Sequence, residues 1–316
     1  MKALVFTNQL EIQDVAVPEP ASDEALIKII LAGICNTDIE ITRGYMDFRG
    51  IPGHEFVGVV EASQQKQWIG KRVVGEININ CHQCTYCKEG KGNHCPNRSV
   101  LGISGKDGVF TEYVTLPVRN LHEVPEEIQD EEAVFVEPLA AACRIVEQID
   151  LGQYDCAAVI GDGKLGLLIA LTLKQTGCPV VLYGKHDDKM SILPRDIKTI
   201  KTGSDTKQKY DLVVEASGSS AGFHTALDLI KPAGTLILKS TMHDVIQMPS
   251  AKLVVDEIVL IGSRCGPFRE AINLLSNHKV DVKPLITGIW PLSQALEAFS
   301  IAQGSASLKV LLNPSE

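Results

Sequence analysis

No apolar run in this chain approaches the ~20 residues that a bilayer-spanning helix needs, and the longest candidate is LGLLIAL at 165–171. Membrane insertion is not expected. There is no Lys/Arg cluster, and the formal net charge is −9. A nucleic-acid footprint requires concentrated positive charge, so that class of partner is excluded as well. The opening MKALVFTNQLEIQDV alternates apolar and polar residues like a strand, without the apolar core and small-residue cleavage site of a leader. A cytoplasmic protein is the expectation. Internal repeats and low-complexity linkers are missing too, and 45% hydrophobic with 22% charged residues is the composition of ordinary globular domains. At 316 residues the chain exceeds what one core usually sustains, about 250 to 300 residues, so two domains are expected.

Cysteine is not scarce: there are nine, and four form CHQCTYCKEGKGNHC. Cys81, Cys84, Cys87 and Cys95 are spaced C-x2-C-x2-C-x7-C on a glycine-bearing loop, which can offer four thiolates to a structural zinc. In a reducing compartment such clustering points to metal rather than disulfides. A second set is scattered: Cys35 in GICNTD, His54 and Glu55 in PGHEF, and Glu137 in VEPLA. All are competent zinc ligands, and a catalytic site takes three of them with one position open. A third signal, VIGDGKLG, places Gly161, Gly163 and Gly166 in a G-x-G-x-x-G turn between the apolar strand AAVI and the helix LGLLIALTL. That context suits a dinucleotide pyrophosphate at a helix N-terminus. Short β-type runs fill the chain to about 124, and strands alternate with helices from about 140, the pattern of parallel βαβ units.

Taken in order, GICNTD, PGHEF, the four-cysteine lobe, FTEYV, VEPLA, GDGKLG, VVEASG and LKVLL resemble the zinc-dependent medium-chain alcohol and polyol dehydrogenase family. The resemblance covers essentially the whole chain. It implies an α/β fold with a GroES-like catalytic β domain at 1–124 and 266–316, carrying the zinc lobe 81–95, and a Rossmann cofactor domain at 125–265. It implies catalytic zinc on Cys35 and His54, with either Glu55 or Glu137 completing the shell, as in the sorbitol, glucose and threonine dehydrogenase branches. Asp38 would orient His54 and Thr37 would relay the substrate proton. Lys164 and Leu165 fall within the cofactor turn, and Lys189 and Arg264 resemble further cofactor contacts. The expected partners are a small alcohol, polyol or matching carbonyl compound and further copies of the chain, as a dimer or tetramer. A non-catalytic NADP(H)-binding protein and a zinc hydrolase are the alternatives.

One more thing is missing. The strand VVLYG, about twenty residues beyond the glycine turn, ends in Gly184 where an acid would hold a ribose hydroxyl in an NAD-binding protein. Glycine would leave space for a 2′-phosphate, with Lys185 and His186 beside it as donors. The expected cofactors are therefore zinc and NADP(H) in preference to NAD(H), with an NAD(H)-dependent polyol dehydrogenase as the alternative. Asp187 or Asp188 is expected to cap the following helix.

Overall fold

The computed structural model describes residues 1–204, 208–241 and 246–315. These form two compact units, one of Met1–Glu137 with Ile272–Glu316 and the other of Pro138–Ala271. The first divide lies beyond the expected 124 because Arg72 ties the following segment back. Its guanidinium pairs with Asp130 at 3.1 Å and donates to the carbonyls of Pro125 and Ile128.

In the first unit, EALIKIILAGI forms the strand Glu24–Ile34 at the heart of a seven-stranded sheet. Its early residues alternate between buried and partly exposed, and its last four are all buried. The change reflects its neighbours. The C-terminal end lies between the strand Glu55–Ser63, with Gly33 opposite Glu55, and the strand Lys309–Asn313, with Leu311 opposite Gly33, both antiparallel. A residue from near the chain's end is thereby carried to the turn that follows Ile34. The strand Ile286–Pro291 continues the sheet in parallel with the last strand.

The second unit holds six parallel strands. Numbered in chain order (Ala157–Ile160, Val180–Gly184, Lys198–Lys201, Tyr210–Glu215, Ile230–Leu238, Val259–Gly262), they stand 3-2-1-4-5-6 across the sheet. That order is the Rossmann arrangement, whose ligand site lies at the strand C-termini where the order reverses, beside strand 1. Strands 1 and 2 are buried throughout, as a sheet covered on both faces requires. The helix Lys164–Lys174 is buried from Gly166 to Leu173, which explains why its sequence shows no polar face. Among the described residues no helix is long and apolar enough to cross a membrane.

Candidate active site

Ile34 ends the central strand and Cys35 becomes the N-cap of the helix Asn36–Thr42. Asp38, in the first turn of that helix and fully buried, accepts the Cys35 N–H at 2.7 Å and the Gly53 N–H at 3.2 Å. One carboxylate thus fixes two separate loops. The second loop can turn there because Gly53 takes φ +98°, where a side chain would also strike the Phe110 ring at 2.7 Å. His54 follows, buried, with Nδ1 facing Asp38 Oδ1 at 3.2 Å. Burial is the strongest influence on the imidazole and opposes its charging, yet the Asp38 carboxylate, with Cys35, holds its pKa well above the ordinary range. A metal arriving there must displace that proton.

The ligand atoms of Cys35, His54 and Glu55 all lie within 4.8 Å of one another. Glu55 Oε1 is buried without a hydrogen-bond partner, the condition of an atom placed for a ligand. One thiol, one imidazole and one carboxylate are a donor set suited to zinc with a position to spare. Thr37 is half-buried, its hydroxyl 3.9 Å from Cys35 Sγ. Glu137, at the start of the helix Val136–Gln148 and also half-buried, is not a member of this cluster.

Sequence reasoning missed the group on the other side of Glu55. Lys309, the first residue of the final strand, is fully buried and donates to Glu55 Oε2. Burial opposes its charge most, but Glu55, Cys35 and Glu137 more than compensate and raise its pKa, and the Phe135 ring lies 5.6 Å from Nζ. Gly33 makes the pair possible, since a Cβ there would stand 2.7 Å from Glu55 Oε2. The only signal in the sequence was a lysine opening the apolar run KVLL.

In the lobe, sulfur separations are 3.5 Å for Cys84–Cys87 and Cys81–Cys95, 3.8 Å for Cys84–Cys95 and 4.0 Å for Cys81–Cys87. A tetrahedral zinc with bonds of about 2.3 Å needs sulfur edges of about 3.8 Å. The fit is close, and these separations are far beyond a disulfide bond. Backbone N–H groups of Gln83 and Cys84 lower the Cys81 thiol to about 6, favouring the thiolate a metal binds.

At the glycine turn, Gly161 takes φ +121°, and a Cβ on Gly166 would lie 2.0 Å from the Gly161 carbonyl oxygen, so both glycines are required by close packing. Gly163 differs, for a Cβ there would meet nothing within 4 Å. It caps the helix without a side-chain hydrogen bond, leaving an open approach to the first turn where Lys164 and Leu165 stand half-buried. This arrangement suits a pyrophosphate.

The expected space beside Gly184 is not there. A Cβ at 184 would lie 2.7 Å from both Asp162 Cβ and Met190 Sδ and 2.8 Å from Asp162 Oδ2. The structural basis of the NADP(H) preference is corrected accordingly: the place holds a carboxylate. Lys185 is exposed, His186 is partly exposed, and both turn their backbone N–H groups to Asp162. The capping expectation is corrected too, since His186 is the N-cap and Asp187 and Asp188 lie in the first turn. Asp187 pairs with Lys201 at 2.7 Å. Lys189 is buried on that short helix, whereas Arg264 follows the strand at the opposite edge of the sheet and is exposed.

The family model of the Alcohol dehydrogenase GroES-like domain matches residues 21–126. A sorbitol dehydrogenase of Halalkalibacterium halodurans is 29% identical over 342 aligned positions, covering 99% of each chain. Two solved structures match 99% of this chain and 99% of their own, each with a TM-score of 0.90. One, 25% identical, is assigned as a zinc-binding dehydrogenase of Sinorhizobium meliloti 1021 and is bound to NADP. The other, 27% identical, is an Escherichia coli CFT073 alcohol dehydrogenase complexed with NADH. Fold and site define the class first: an α/β protein that joins a GroES-like β unit to a Rossmann unit. Within that class the matched domain and the full-length similarity to named relatives indicate the zinc-type medium-chain alcohol and polyol dehydrogenases, a family of oxidoreductases.

Proposed function

We propose that the protein interconverts a small secondary alcohol or polyol and its carbonyl partner, using zinc held by Cys35, His54 and Glu55 and a nicotinamide dinucleotide held at 161–166. The observation that carries this reading is the convergence of the buried His54 and Glu55 with the half-buried Cys35, with an unpartnered Glu55 oxygen among them. When bound, zinc would polarise the substrate oxygen as a Lewis acid, and the nicotinamide ring would supply the hydride chemistry. The chain's own residues do the rest. Asp38 fixes the imidazole and both loops, Thr37 takes or returns the substrate hydroxyl proton, and the cysteine lobe holds the second zinc. Glu137 is proposed as a nearby carboxylate that tunes Lys309 rather than as the resting ligand. The name of the sorbitol dehydrogenase relative supports a polyol substrate. A panel of polyols and secondary alcohols assayed with NAD and NADP, with and without a chelator, tests the proposal. Chelator-sensitive oxidation of at least one polyol is expected, and activity unaffected by complete zinc removal would refute it.

A further inference from the structure

A dinucleotide at 161–166 is part of the function proposed above, and on that reading we infer that Asp162 decides which dinucleotide enters, selecting NAD(H) against NADP(H). The strand end at Gly184 lacks its own acid, but a carboxylate is nonetheless there. Asp162 reaches across from the neighbouring strand's turn, and its Oδ2 lies 2.8 Å from where a Gly184 Cβ would stand. Glycine at 184 is the residue that admits this side chain, rather than a vacancy for a phosphate. The acid stands in the turn after strand 1, against the end of strand 2.

The donors around it are already engaged. Oδ2 accepts the N–H of Lys185 at 2.6 Å and of His186 at 2.6 Å, and His186 Nδ1 lies 3.0 Å away. Two successive backbone N–H groups and an imidazole are the set that a 2′-phosphate on the ribose would use. Here they serve a buried carboxylate, 8% exposed, in a position that repels a second anion. None of the described hydrogen bonds uses Asp162 Oδ1, which can accept from a ribose hydroxyl as the strand-end acid does elsewhere. Burial weighs against ionisation, but the N–H groups of His186 and Lys185 outweigh it and hold the acid below its ordinary pKa, so the charge is present at neutral pH.

Fluorescence titration of the full-length protein with NADH and with NADPH tests this without relying on turnover. The wild type is expected to bind NADH at least about tenfold more tightly than NADPH. Asp162→Ser, which frees the three donors, should move the ratio toward NADPH by about tenfold or more by gaining NADPH affinity. Adding His186→Ala should remove that gain. Asp162→Asn keeps the shape without the charge and should shift the ratio in the same direction by less, so it decides the matter if the serine variant fails to fold. Equal or tighter NADPH binding by the wild type, or equal weakening of both cofactors in the variants, would overturn the assignment. Binding of neither by the wild type would refute the dinucleotide reading itself, and this inference with it.

Discussion

At the residue scale, the ion pair between Lys309 and Glu55 governs how the candidate metal site stands without its metal. Both side chains are buried, with Cys35 and Glu137 close enough to add their charge. Removing one partner of such a pair strands a charge in a low-dielectric interior, at a cost of about 3 to 5 kcal/mol. Lys309→Met is therefore expected to lose about that much stability in chelated protein, measured by denaturant unfolding, and clearly less when zinc is restored, because a dication then compensates Glu55. Equal losses in both states would show that the lysine does not answer to the metal site. Cys35, His54 and Glu55 are of ligand-competent types but scattered in the sequence, and with Asp38 they were singled out through the resemblance of GICNTD and PGHEF to the family's motifs. Lys309 was not, since its partner lies 254 positions away and only sheet pairing brings them together.

At the scale of elements, Asp162 joins the turn after the first Rossmann strand to the end of the second. Its pKa is lowered: burial acts to raise it, and the His186 and Lys185 N–H groups, with the imidazole, overcome that. A group with a depressed folded-state pKa contributes stability above its unfolded value, about pH 4, and loses it as pH falls through the folded value. Thermal unfolding of Asp162→Asn should therefore depend less on pH between about 3 and 5 than that of the wild type, with the two curves converging at the acid end. Parallel curves across that window would contradict the role. The sequence announced this turn through its glycines and its strand and helix context. It gave the wrong account of Gly184, because reading one strand end at a time could not show a side chain arriving from the neighbouring strand. The capping aspartates failed for a related reason: the cap falls one residue earlier, on His186, so both acids lie inside the first turn of the helix Asp187–Met190.

For the whole molecule, the alternation of strands and helices identified the parallel sheet of the second unit, whose local βαβ connections leave a periodic trace. The first unit was less legible. Its sheet is assembled from distant pieces, and the strand Lys309–Asn313 returns to pair with Glu24–Ile34 for reasons that no local pattern encodes. That return delivers Lys309 to Glu55, so chain topology and metal chemistry depend on each other. Two groups able to hold a metal ion, of different character, lie within this unit: four cysteines in the lobe, and a mixed thiol, imidazole and carboxylate set at the end of the central strand. The most direct test is the zinc content of purified wild-type protein beside that of the Cys35→Ala/His54→Ala double variant. About two ions per chain in the wild type and about one in the variant are expected, the remaining ion being lost only when the lobe cysteines are changed. One ion per chain in both proteins would contradict a metal centre at Cys35, His54 and Glu55.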